Sequence, residues 1–325
     1  MSNKEQTNNN TTSLSLNEHY VAPFEDTAVQ PIDAVKIDEK PSNLWLEAWR
    51  DMRKRVMFWI AAAIILLVLV VAIFPQLFTK LDPMYCDLAR SNEGPDANSL
   101  LGYTEQGCDI YAHVIYGTST SVSVGIIAVL LTFTVGLIFG ALAGYFGGIV
   151  DAILSRLGDI FFSIPYILAA IVVMSVLVEH RNIWVISLAI GGFAWPSTAR
   201  ILRAEILRVK NQDFVTAAES IGLSKFKTLV KHVLPNSIAP VIVVTTLSLA
   251  GAIVAEATLS FLGVGLPSGQ FLSWGNDINA AQDSLRSRPQ NLIYPSIALS
   301  ITVLGFIMMG EVVRDALDPK ARARR

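Results

Sequence analysis

The chain has 325 residues, 52% of them hydrophobic and only 16% charged, with a mean hydropathy of +0.49 and a formal net charge of −2. Soluble domains carry about 45–50% apolar and roughly 25% charged residues, so these charges are too few for a water-facing shell, which a lipid-facing surface does not need. The near-neutral balance gives no sign of nucleic-acid binding, and two cysteines are too few for a disulfide scaffold or a cysteine-rich zinc site; an all-α membrane protein is expected.

Residues 1–43 are rich in Asn, Thr, Ser and acids and lack sustained apolar periodicity, which predicts a disordered tail. Residues 44–55 follow, with Trp45, Ala48, Trp49 and Met52 on one helical face before the run Arg53-Lys54-Arg55. This pattern predicts a short helix in the headgroup layer, the alternative being a plain basic flank of a spanning helix. The first apolar segment, Val56 to Phe78, lies too far from the start and is too long for a cleaved signal, so it reads as a span.

Five further apolar segments complete a six-helix domain over 56–320: Ser121 to Tyr145, Ile160 to Val178, Trp184 past Trp195-Pro196 towards Arg200, Ile238 to Ala257, and Ile293 to Val313. Each has about the 20 residues that cross a hydrocarbon core. The predicted connections are an outer loop at 79–120, a cytoplasmic loop at 208–236 and an outer loop at 258–292, with a basic tail at 321–325. With the N-terminus inside, every Lys and Arg except Lys80, Arg90, Arg181, Arg286 and Arg288 falls on the cytoplasmic side. The positive-inside rule therefore places both termini in the cytoplasm.

Cys86 and Cys108 share the first outer loop, a compartment that permits disulfides. They are expected to pair, and closing a loop of about 22 residues contributes roughly 3 kcal/mol in the chain-entropy account. In the second apolar segment Gly136, Gly140 and Gly144 recur every four residues, a smooth face for close helix packing. That face is expected to serve packing within the subunit, the alternative being a partner surface. Glu256, near the outer end of the fifth span, is expected to reach water, the alternative being the mouth of a pathway; Glu311 is expected to pair with Arg314.

The most informative stretch joins spans four and five. Asp213 suits an N-cap and Gly222 a C′ position. Between them Phe214, Ala217, Ala218 and Ile221 are spaced as a single apolar stripe whose two alanines allow close backbone approach. Phe226, Leu229, Val230 and Val233 repeat the spacing after the glycine, with Lys225, Lys227 and Lys231 facing away, until Leu234-Pro235 leads into the next span. Two short amphipathic helices joined by a glycine are predicted; on physical grounds alone they could be connectors packed on the chain's own spans.

These residues resemble the cytoplasmic signature of the permease subunits of binding-protein-dependent ABC importers: Glu-Ala-Ala, three residues, Gly, nine residues, Ile-x-Leu-Pro. Ala217, Ala218, Gly222, Leu234 and Pro235 match at the right spacing, while Thr216 stands in place of Glu and His232 in place of Ile, the latter being familiar in peptide-type members. Glu219, one turn later, is a candidate substitute for the missing Glu. The resemblance covers nearly everything after Leu44 and is closest to the second permease subunit of dipeptide and oligopeptide importers. It runs through Leu142 to Gly148, Asp159 to Pro165, Leu259 to Gly263, Ser273 to Asn276 and Arg314 to Pro319.

The resemblance implies a type I importer fold in the plasma (inner) membrane, paired with a second, similar permease. Two cytoplasmic ATPase subunits would dock on coupling helices and an external solute-binding protein would deliver di- or oligopeptides. Nickel chelates and glycans are the alternative cargoes. Asp213, Phe214, Thr216, Ala217, Ala218, Glu219, Ile221, Gly222, Leu234 and Pro235 are then the ATPase-coupling residues. The chain has no Gly-Lys dipeptide and hence no Gly-Lys-Ser/Thr phosphate loop, so ATP and Mg are expected on the partner subunits, with no cofactor, metal or catalytic residue here. Two other classes compete. A secondary carrier would bury ionisable groups at midplane, where they are nearly absent; a membrane-embedded hydrolase would need a constellation that the scattered His19, His113, His180 and His232 do not form.

Overall fold

The structure, a computed structural model, describes residues 44–317. The predicted tails at 1–43 and 321–325 lie outside these residues. Helix α1 (Leu44–Met52) precedes α2 (Val56–Ile73), and a long connection leads to α3 (Ile110–Phe146). Then come α4 (Gly148–Ser163), α5 (Tyr166–Val176) and α6 (Ile183–Val209). The connection to α10 (Ala239–Phe261) contains α7 (Asp213–Ser220), α8 (Lys225–Thr228) and α9 (Leu234–Ser237), with a π-helical segment Leu229–Val233 between the last two. Helices α11 (Trp274–Ala280) and α12 (Gln290–Leu317) complete the described chain. Five of these helices are long and apolar enough to cross a membrane, and the bent pair α4–α5 brings the number to six.

The third predicted span is not one rod. It breaks at Ile164-Pro165, where α4 and α5 meet at 79°. Proline has no N–H to continue the ladder and disfavours helical backbone in the residue before it. The second span starts eleven residues earlier than its apolar run, because Asp109 caps it by accepting from Ala112 N–H at 2.6 Å. The first connection is correspondingly shorter than 79–120. It carries the Cys86–Cys108 disulfide and two isolated antiparallel bridges, Cys86 with Cys108 and Tyr103 with Asp109. Within it the backbone N–H of Asn98 and of Ser99 holds the Asp96 carboxyl below the usual carboxylate range.

Helices α3 and α6 form the central pair. A Cβ at Gly136 would lie 2.7 Å from Thr198 Cβ, one at Gly140 2.6 Å from the Ala199 carbonyl oxygen, and one at Gly144 3.0 Å from the Arg203 carbonyl oxygen. Gly191 returns the favour from α6, where a Cβ would lie 2.4 Å from the Ala128 carbonyl oxygen. Helix α1 ends at Met52 rather than Arg55, and its stripe is divided: Ala48 packs with Val243, Ala316 and Leu317, whereas Trp45 and Trp49 stay exposed. Arg55 pairs with Asp315; among the described residues Glu311 makes no ion pair.

At the disulfide end, α11 is clasped onto the bundle around Glu256. That carboxylate does not reach water; it is fully buried. Ser260 donates to its Oε1 and Ser121, from α3, to its Oε2, both at 2.9 Å, while Trp274 N–H donates to Ser121 Oγ at 3.3 Å. Trp274 Nε1 reaches the Val114 carbonyl at 3.1 Å, and Gly275 sits so close that a Cβ would be 2.7 Å from Ala257 Cα. Helix α3 and the consecutive helices α10 and α11 thus share one polar knot. Replacing Glu256 with Ala orphans two buried hydroxyls, each costing about 1–3 kcal/mol, so the thermal unfolding midpoint in detergent should fall well below that of Glu256→Gln, which keeps a hydrogen-bonding side chain in place.

Candidate functional site

The loop 208–236 folds as a compact hairpin at the opposite end of the bundle. Helix α7 starts with Asp213 as its first residue, not its cap: Gln212 holds the N-cap position and makes no side-chain cap bond. Asp213 instead adds a negative charge to the first turn, where the helix dipole favours it. At the other end Gly222 has φ +89°, its N–H bonding the Glu219 carbonyl at 3.0 Å, and Leu223 N–H bonds the Ala218 carbonyl at 3.2 Å. This pair of bonds is a Schellman termination, and the left-handed residue it needs is most cheaply glycine. Ser224 then opens α8 by accepting from Lys227 N–H.

The predicted single stripe is split by the fold. Ala218 is buried together with Val215, which belongs to a core cluster with Tyr145, Leu202, Ile206, Val209, Leu229 and Val233. Phe214, Ala217 and Ile221 face outward, with Ile221 78% exposed. In the second arm Leu229 and Val233 turn inward while Phe226 and Val230 are exposed. Each arm therefore has one apolar edge on its own chain and one uncovered. Thr216 is exposed beside Ala217. Leu234-Pro235 does not end the helical path, because Pro235 occupies the first turn of α9, where its missing N–H costs nothing.

Polar ties fix the hairpin to the central pair. Tyr145, at the end of α3, donates its hydroxyl to Glu219 Oε1 at 2.8 Å, so Glu219 is committed to its own chain. Lys210 Nζ reaches the Gly144 carbonyl at 2.9 Å. Nearby, Arg203 of α6 makes a two-pronged pair with Asp151 of α4 at 2.6 and 2.7 Å, and Arg200 pairs with Asp159 at 2.7 Å. Sequence reading missed Tyr145, Val215 and Lys210. The available signal was Val215 and Ala218 at i, i+3, in register with Leu229 and Val233 of the second arm.

At the disulfide end, a His113 ring nitrogen lies within 4.8 Å of the Cys86 and Cys108 sulfurs, a geometry that would suit a metal if the sulfurs were thiolates. They are bonded to each other, so this set offers no thiolate ligand. His113 Nδ1 is 2.9 Å from Asp277 Oδ1, a further link between α3 and α11.

Comparison with known proteins sets this geometry beside a family. The family described as "Binding-protein-dependent transport system inner membrane component" matches residues 136–323, and "N-terminal TM domain of oligopeptide transport permease C" matches residues 43–95. The chain is 34% identical over 299 residues to the oligopeptide transport system permease protein OppC of Bacillus subtilis, covering 92% of this chain and 97% of that one. It is 33% identical to the glutathione transport system permease protein GsiD of Pectobacterium atrosepticum, covering 88% and 94%, and 33% identical to the dipeptide transport system permease protein DppC of Bacillus subtilis, covering 89% of each. Among solved structures, an inward-facing form of the MetNI methionine ABC transporter superposes with a TM-score of 0.51 at 18% identity, over 63% of this chain and 96% of that one, a likeness of fold.

A β-branched residue at Gly222 would meet no neighbour but would have to adopt the left-handed conformation, at about 1–2 kcal/mol. In Gly222→Val, amide exchange across 213–222 should accelerate by about tenfold at that cost, while exchange in the middle of α3 and α6 stays unchanged.

Proposed function

The chain belongs to the binding-protein-dependent transport system inner membrane component family, a family of transport permeases, and on that premise we propose that it forms half of the translocation pathway of an ATP-driven peptide importer. It would lie in the plasma membrane with both termini cytoplasmic, paired with a second permease. The cargo, di- or oligopeptides handed over by an external binding protein, is argued from the relatives named for oligopeptides, dipeptides and glutathione. ATP and Mg would sit on two partner ATPase subunits.

One observation carries this reading: a capped eight-residue helix presents Phe214, Ala217 and Ile221 to solvent while its other edge is built into the bundle. A free apolar edge on a rigidly anchored helix is what a docking element needs. Ala217, between the two large side chains, lets an ATPase groove approach the backbone. Closure of the ATPase pair would push α7 as a rod, and the push would reach α3 through Tyr145–Glu219 and α6 through Val215 and its neighbours. Close-packed elements pass on displacement rather than absorb it.

Ile221→Asp and Phe214→Asp should leave the chain inserted and paired with its permease partner while the ATPase subunits no longer co-purify with it. In proteoliposomes holding the whole complex and binding protein, labelled di- or pentapeptide should accumulate only with ATP. Retention of the ATPases by both variants would remove the docking assignment.

A further inference from the structure

Midway along α3, α6 and α10, a cavity of about 330 Å³ opens at the break between α4 and α5, within the size range of small-ligand sites. Pro165 and Tyr166 form one wall, and no charged residue lines it. Resting on the peptide-import reading, we infer that this cavity is the place where this subunit grips the main chain of the passing peptide.

The two walls differ in chemistry. On the side of the break, α5 begins at Tyr166 without any side-chain cap, so its first-turn N–H groups have no partner within the helix. On the opposite side Thr132 donates to the Gly191 carbonyl, Ser197 to the Ala194 carbonyl and Ser248 to the Val244 carbonyl, at 3.2, 3.3 and 2.8 Å. Each of these hydroxyls has spent its proton and retains lone pairs that accept. Thr198 lines the cavity as well: it is 2% exposed, with its Cβ and methyl against Gly136, and its hydroxyl is not sealed off without a partner but free to donate or accept.

Donors on one wall and acceptors on the other match an extended peptide unit, which offers one C=O and one N–H. A lining with no charge and with apolar Val129, Ile190 and Phe193 between the polar groups holds the repeating main chain and is indifferent to the side chains, which suits cargo of varied sequence. A fixed charge would instead bind one class of peptide too firmly to release.

The test uses the assembled complex in proteoliposomes with labelled di- and pentapeptide. Ser197→Trp fills the cavity and should cut ATP-driven uptake by about tenfold or more, the loss expected when binding is removed and not merely weakened, while binding-protein-stimulated ATP hydrolysis persists. Thr198→Val keeps the shape, removes the hydroxyl, and should lower uptake several-fold, as loss of one hydrogen bond does. Leu67→Trp, on the exposed face of α2, should transport normally. Ser197→Cys guards against misfolding: the described residues hold no other free cysteine, so a maleimide added after assembly should block uptake, and pre-loaded peptide should slow the labelling. Wild-type rates in Ser197→Trp and in maleimide-labelled Ser197→Cys would overturn the inference, as would release of the second permease on labelling, which would make the cavity a socket between subunits. An unsubstituted complex that takes up neither peptide would overturn the cargo reading itself, and this inference with it.

Discussion

A methyl group at Gly140 would lie 2.6 Å from a carbonyl oxygen of the neighbouring helix. That near-contact between the backbones of α3 and α6 is the constraint on which the remaining architecture rests. In lipid, helices gain little from hiding apolar side chains and associate through close packing instead. Three glycines one turn apart on α3, with Gly191 opposite, bring the two backbones together over most of the bundle's height. Both regions proposed to act in transport are built on this pair: the hairpin hangs from its lower end through Tyr145, Lys210 and Val215, and the cavity opens beside its middle through Thr132 and Thr198.

The same seam explains why the hairpin can be short. An isolated eight-residue helix is marginal in water. Here Val215 is buried against the ends of α3 and α6 and Ala218 is buried beside it, Asp213 adds charge to the first turn, and Gly222 closes the last one. The cost of ordering the segment is met by contacts on one edge, which leaves the other edge, with Phe214 and Ile221, uncovered. Commitment of Glu219 to Tyr145 belongs to the anchoring side, so Thr216 stands on the exposed side without a carboxylate in its place.

The far end of the bundle is held differently. There a buried carboxylate gathers hydroxyls from α3 and α10, and the start of α11 closes over it. The disulfide and the His113–Asp277 pair add links in the same region. One end is therefore sealed by polar knots and the other presents apolar edges. The break at Pro165, between the two, leaves the first-turn N–H groups of α5 without partners in their own helix.

Composition and periodicity by themselves determined the class: too little charge for a watery surface, six stretches of spanning length, a positive bias on one side, and a glycine placed where a short amphipathic helix must stop. Glycines every fourth residue announced a close helix contact, since spacing along a helix fixes which residues share a face. Spacing does not determine what lies against that face. Only the tertiary structure could separate Ala218 from Ala217, because adjacent positions lie about 100° apart and folding buries the first while leaving the second exposed. It alone enclosed Glu256, whose partner Ser121 stands far away in the chain, and broke the third span at Pro165, which became the wall of a cavity. Burial and partnership are properties of neighbours brought together by folding, and no local pattern encodes them.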